Sequence, residues 1–141
     1  MSAGAGVTEL EHVLVLSVDI ERARRFYEDA VGLTVGPRPP LEFPGFWLYA
    51  GAAPCLHIAD RDAYRAHARE LGLDVAERAG GRGPVDHIAF IATDYDLANE
   101  RLSAHGVEPT RNDVPAGGPR QLFFDDPDGL RVEINIRAAV T

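Results

Sequence analysis

Apolar and polar residues along this chain follow one pattern that is written twice. Residues 12–18, apolar apart from His12 and Ser17 and with β-branched members, form a run that marks a strand covered on both faces. Asp19 then stands where a helix N-cap belongs, and Ile20, Ala23, Phe26, Tyr27, Ala30 and Val31 recur at helical spacing until Gly32 supplies a left-handed stop. A short strand at 33–36, a rigid loop at 37–40 with three prolines, and strands at 46–50 and 55–59 joined by residues 51–54 complete the unit. Asp60 or Asp62 opens a short helix with Ala63, Tyr64, Ala68 and Leu71 on one side, ended by Gly72. Residues 79–84, with three glycines and a proline, read as a flexible joint.

The second unit repeats the order: a strand at 85–92, a helix from Asp94 to about His105, and a weak strand near Val107. Strands at 120–124 and 130–136 follow, joined by the tight turn Asp126-Pro127-Asp128-Gly129. Both units therefore read strand, helix, three strands. In detail, Glu11-His12-Val13-Leu14-Val15 aligns with Asp86-His87-Ile88-Ala89-Phe90 at an offset of 75 (87 − 12), and His57 falls opposite Glu133 at 76 (133 − 57). The expected organisation is a single α+β domain with modules at about 9–59 and 84–137 and a linker at 60–83.

Bulk properties narrow the setting without choosing a chemistry. At 141 residues the chain can bury a proper core. A net charge of −8 disfavours nucleic acid and anionic membrane surfaces as partners. All 14 basic residues are arginine, which removes lysine Schiff-base and phosphate-loop mechanisms. A single cysteine, Cys55, excludes an internal disulfide and suits a reducing compartment. No signal-peptide pattern and no membrane-length apolar run is evident, so a cytoplasmic location is expected.

The repeat carries the chemistry. Side chains alternate along a strand, so His12, Leu14 and Leu16 share a face, as do Cys55, His57 and Ala59, His87, Ala89 and Ile91, and Arg131, Glu133 and Asn135. If the copies fold alike and pair about an approximate twofold axis, His12, His57, His87 and Glu133 meet in one hollow. Each histidine taken alone reads as a half-buried strand residue satisfied by a neighbour. The set, with its repeat-related positions, reads instead as a nitrogen/oxygen site for one divalent ion: Zn²⁺, Ni²⁺, Co²⁺, Mn²⁺ or Fe²⁺. His67 and His105, on helix faces, are expected to be surface residues. Parity from Glu133 puts Gln121 and Phe123 on the site face as substrate contacts. The same count from His57 puts Phe46 and Leu48 there, leaving Trp47 and Tyr49 toward the helices. Cys55 is expected to be an inert buried thiol.

These motifs resemble those of the vicinal oxygen chelate superfamily, which includes glyoxalase I, bleomycin-resistance proteins and extradiol dioxygenases. The resemblance rests on His12 and Asp19, on Arg24-Arg25-Phe26-Tyr27 with Gly32-Leu33, on Trp47-Leu48-Tyr49 and Leu56-His57, on Asp86-His87-Ile88-Ala89-Phe90, and on residues 121–129 with Glu133. It covers about residues 9–137. It implies paired βαβββ modules forming a cupped, mostly antiparallel sheet with helices outside, usually in a homodimer and often with the metal held between modules. It also implies a small-molecule substrate chelating the metal through neighbouring oxygens, with Glu133 as the proton-moving base of a glyoxalase I-type lyase or isomerase. Glyoxalase I relatives typically carry Glu at the His57 position. Two further activities fit the resemblance: an Fe²⁺-dependent dioxygenase built on His12, His87 and Glu133, and a non-catalytic drug- or toxin-binding protein. A fosfomycin-resistance transferase does not fit, because Leu14 and Phe123 occupy the places of its Thr and Tyr and lysine is absent.

Overall fold

The computed structural model describes residues 6, 9–73, 85 and 87–137. The expected joint at 79–84, Asp86 of the repeat and the N-terminal residues 1–5 lie outside the described residues. The first module runs β1 (Val13–Ser17), α1 (Ile20–Arg25), β2 (Thr34–Gly36), β3 (Gly45–Ala50) and β4 (Ala53–Asp60), followed by α2 (Arg61–Glu70). The second runs β5 (His87–Ala92), α3 (Tyr95–Ala104), β6 (Thr110–Asp113), β7 (Arg120–Asp125) and β8 (Arg131–Ile136). The strands form two four-stranded mixed sheets, ordered β1-β4-β3-β2 and β5-β8-β7-β6. In each, the first strand pairs parallel with the fourth and the other pairs are antiparallel. The fold is therefore α+β, built from two βαβββ modules, as the repeat predicts.

Local chemistry places the helices as expected. Asp19, Asp60 and Asp94 each cap a helix, accepting hydrogen bonds from the backbone N–H of Arg22, Ala63 and Leu97. One feature goes beyond periodicity: α1 passes directly into a π-helical segment, Phe26–Val31, closed by the Gly32 N–H donating to the Tyr27 carbonyl at 3.0 Å. Gly32, at φ 94°, takes the left-handed conformation foreseen for it. Phe26 and Tyr27, adjacent in sequence, are both buried there, and they lie in a core shared with Ala98 and Leu102 of α3 and Phe124 of β7.

One buried polar contact joins the modules. The Tyr27 hydroxyl donates to Asp126 Oδ2 at 2.7 Å, while Asp126 Oδ1 accepts the N–H groups of Asp128 and Leu130, each at 2.8 Å. A residue of the π-helical segment is thus held by the turn between β7 and β8, 99 positions away.

Two expected boundaries move. The weak strand placed near Val107 is β6, Thr110–Asp113; the Val107 N–H is already spent on the Leu102 carbonyl at 2.8 Å, closing α3. The connection expected over 51–54 shortens to a turn at Gly51 and Ala52, with β4 starting at Ala53. Among the described residues, no helix is long and apolar enough to cross a membrane.

Candidate metal and substrate site

Both sheets bury one face against the helices and turn the other toward the candidate site. Leu56 and Ile58 of β4, and Val132, Ile134 and Ile136 of β8, lie in the core, so His57 and Glu133 point to the opposite faces. The two modules place their histidines alike. In the first, Leu14 pairs with His57 and His12 lies two residues before Leu14; in the second, Ala89 pairs with Glu133 and His87 lies two residues before Ala89. Each sheet therefore sets one histidine diagonally against one residue of its fourth strand.

In the second module, His87 Nε2 lies 3.3 Å from Glu133 Oε1. Two ligand atoms at about 2.1 Å from one ion, at a near-tetrahedral angle, lie roughly 3.4 Å apart. The pair thus has the separation that two protein ligands of one ion require. Glu133 is only 9% exposed although it is a carboxylate. Its second oxygen, Oε2, accepts from Asn135 Nδ2 at 2.6 Å and Gln121 Nε2 at 3.3 Å.

In the first module the rings of His12 and His57 stack, with centroids 3.7 Å apart and planes 12° from parallel. Trp47 stacks on His57, its ring centroid 4.1 Å away. Among the described residues, each imidazole has one nitrogen engaged and one without a partner. His12 Nδ1 contacts Glu11 Oε1 at 2.8 Å and His57 Nε2 contacts the Pro54 carbonyl at 3.1 Å, leaving His12 Nε2 and His57 Nδ1. A carboxylate on the far nitrogen of a ligand histidine fixes its tautomer and orientation. Burial pushes the His57 pKa down, and the neighbouring His12 adds to this, so the ring favours the neutral form that binds metals.

The four sequence-predicted ligands thus stand as two pairs, one on each sheet. Among the described residues, the three side chains whose donor atoms all lie within 4.8 Å of one another are Glu42, His67 and Glu70. Among those residues, His67 Nδ1 is buried without a hydrogen-bond partner, 3.5 Å from Glu42 Oε2, so this histidine is not the plain surface residue expected. Glu42 lies 25 positions before it (67 − 42), on a loop that periodicity leaves blank.

Gln121 and Phe123 sit on the site face as expected, Phe123 directly opposite Glu133. Beside them is a depression of about 600 Å³ lined in part by Phe123, Thr110, Asp125 and Arg131. Phe46 and Leu48 require a correction. Trp47, not Leu48, pairs opposite the site-face residue His57. Leu48 is fully buried in the core, and Phe46 lies on the helix side beneath the Arg24 guanidinium, 5.5 Å from its ring centroid. The tight turn and the register shift between Leu48 and Ala50 displace the count by one, which exchanges the faces. Trp47 is the site-face residue that the parity argument missed.

The family model of the Glyoxalase/Bleomycin resistance protein/Dioxygenase superfamily matches residues 9–134. Glyoxylase I 4 of Arabidopsis thaliana is 28% identical over 131 residues, covering 91% of this chain and 70% of the relative. Two solved structures are similar in fold. A lactoylglutathione lyase from Agrobacterium tumefaciens has a TM-score of 0.61 at 18% identity, covering 92% of this chain and 94% of that one. The antibiotic-binding protein TnmS3 from Streptomyces sp. CB03234 has a TM-score of 0.64 at 20% identity, covering 94% and 98%.

Proposed function

Because the chain belongs to the glyoxalase/bleomycin resistance protein/dioxygenase superfamily, we propose that it is a metal-dependent lyase or isomerase of glyoxalase I type. The observation that carries this reading is the pairing of His87 with a buried Glu133 at ligand spacing, repeated in register by His12 and His57. In this reading the metal would be held by His12 and His57 of one copy and His87 and Glu133 of a second. Supporting the second copy, the site face of β5 is uncovered within one chain: His87 and Ala89 are exposed, and Ile91 is 68% exposed. A symmetric pair of chains would contain two such centres.

When bound, the ion supplies Lewis acidity to the neighbouring oxygens of a small substrate. Glu133 would move the proton from the carbon next to a carbonyl through Oε1, the oxygen that faces His87, since Oε2 is occupied by the two amides. Phe123 walls the substrate opposite Glu133, and Arg131, on the same strand face, receives an anionic group of the substrate or its thiol partner. Cys55 takes no part, and the single thiol suits a cytoplasmic setting.

The test is proton exchange or turnover of a hemithioacetal by protein loaded with Ni²⁺, Zn²⁺, Co²⁺, Mn²⁺ or Fe²⁺. Turnover with at least one ion, lost in Glu133→Gln, is expected. No exchange at any carbon next to a carbonyl, at full metal occupancy, overturns the reading. A second reading draws on the Trp47–His57–His12 stack, an aromatic platform suited to a planar ligand, and on the likeness in fold to an antibiotic binder. It predicts ligand binding that survives chelation and is intact in Glu133→Gln.

A further inference from the structure

Asn112 of β6, Gln121 of β7 and Asn135 of β8 form one cross-strand row, each directly opposite the next. Their amides are hydrogen-bonded in a single sense. Asn112 Nδ2 donates to Gln121 Oε1 at 2.8 Å, Gln121 Nε2 donates to Asn135 Oδ1 at 3.1 Å, and Asn135 Nδ2 donates to Glu133 Oε2 at 2.6 Å. Gln121 Nε2 reaches Glu133 Oε2 as well, at 3.3 Å. The Gln121 and Asn135 amide oxygens accept, and all three terminal nitrogens donate toward the carboxylate, so the amide orientations are mutually fixed. The row ends on Oε2, while Oε1 faces His87 at 3.3 Å.

The repeat supplies a comparison within the molecule. The offset of 76 that relates His57 to Glu133 relates Ala59 to Asn135 and Gly45 to Gln121, and Gly45 pairs with Ala59 in the first sheet as Gln121 pairs with Asn135 in the second. The module that offers an imidazole carries glycine and alanine in this row. The module that offers a carboxylate carries two donors aimed at it. An imidazole has a single free nitrogen, whereas a carboxylate has two oxygens and can turn between them. Donors on one oxygen remove that freedom.

We propose that Asn135 and Gln121 are positioning residues for Glu133. They anchor Oε2, with Asn112 bracing Gln121, so that Oε1 alone is presented to a divalent cation and to the substrate proton. This rests on Glu133 being a metal ligand. Partners that orient a ligand from behind are worth about ten- to a hundredfold in metal affinity.

The test is Co²⁺ affinity, measured by competition with a chromophoric chelator, together with the ligand-field absorption of the bound ion. It compares the full chain with Asn135→Leu, Asn135→Asp, Glu133→Gln and the double variant Asn135→Leu/Glu133→Gln. The expected result is about a ten- to a hundredfold loss of affinity and an altered spectrum in Asn135→Leu. Asn135→Asp, which keeps the shape and replaces the donor by a second carboxylate, should lose as much and guards against a folding artefact. The double variant should bind no more weakly than Glu133→Gln alone. Wild-type affinity in both Asn135 variants, with loss in Glu133→Gln, overturns the positioning role and leaves the ligand assignment standing. Wild-type affinity in Glu133→Gln overturns both.

Discussion

Replacing Tyr27 by Phe removes one oxygen atom and tests how the two modules are held together. The ring is fully buried and its hydroxyl donates to Asp126, itself 5% exposed, at 2.7 Å. Burial, followed by the charge of Asp126, raises the phenol pKa far above its ordinary value, so the hydroxyl stays a donor at every accessible pH. The substitution keeps the ring and its edge contact with Phe26, at 5.4 Å between centroids. What is lost is a hydrogen bond to a charged acceptor, and Asp126 Oδ2 is left buried without its partner. Such bonds contribute about 1.5–3 kcal/mol, so we expect a loss of about 2 kcal/mol. For a domain of this size that lowers Tm by roughly 4–8 °C. Urea unfolding of the wild type, Tyr27→Phe, Asp126→Asn and the double variant would measure it. The cycle should show coupling of about 1 kcal/mol or more between the two positions. A loss in Tyr27→Phe below about 0.5 kcal/mol with no coupling would refute the reasoning, because packing of the ring alone would then hold the modules together.

Burial raises the Asp126 carboxyl pKa, outweighing the hydrogen bonds from Tyr27, Leu130 and Asp128 that lower it. Its contribution to stability is therefore fully present below the unfolded-state pKa near ~3.9 and is lost as pH rises through the folded value. Unfolding at pH 4 and pH 7 should show the wild type losing ground to Asp126→Asn as pH rises, and the opposite slope would contradict the assignment. A β-carbon at Gly45 would lie 2.1 Å from the Ile58 carbonyl oxygen, so Gly45→Ala should cost about 3 kcal/mol by pushing β3 off β4. Chemical denaturation checks this, and a neutral substitution would contradict the close approach. His67→Gln should leave the amount of tightly bound metal per chain unchanged in elemental analysis, because Glu42 is 76% exposed and offers that cluster only a solvated arm. A halved metal content would place an ion among Glu42, His67 and Glu70 instead.

The fold was legible because period and punctuation agreed. Apolar runs, Asp caps and glycine stops all pointed to the same elements, and the duplication showed the topology twice. The site face of the second module was equally readable, since the short Asp126–Gly129 turn preserves parity between Phe123 and Glu133. In the first module the parity count crossed a connection whose length the sequence does not state, and Phe46 and Leu48 exchanged faces with Trp47. The signal that could have prevented this was present: the 76-residue offset that pairs His57 with Glu133 also pairs Trp47 with Phe123. The π-helical segment had no such signal, because Phe26 and Tyr27 satisfy helical spacing whichever hydrogen-bond pattern the backbone adopts. Glu42 and His67 meet through tertiary packing of a loop onto α2, which local periodicity cannot register.

Mixing two inactivated chains tests the shared centre most directly. One chain carries His12→Ala and His57→Ala; the other carries His87→Ala and Glu133→Gln. Each alone should retain no tightly bound metal. After they are unfolded together and refolded, half of the dimers carry one chain of each kind. One of the two centres in such a dimer is then intact, and elemental analysis should recover about a quarter of the wild-type metal. Recovery of none, with dimers formed and folded, would contradict a centre built from the histidine pair of one copy and the His87–Glu133 pair of the other.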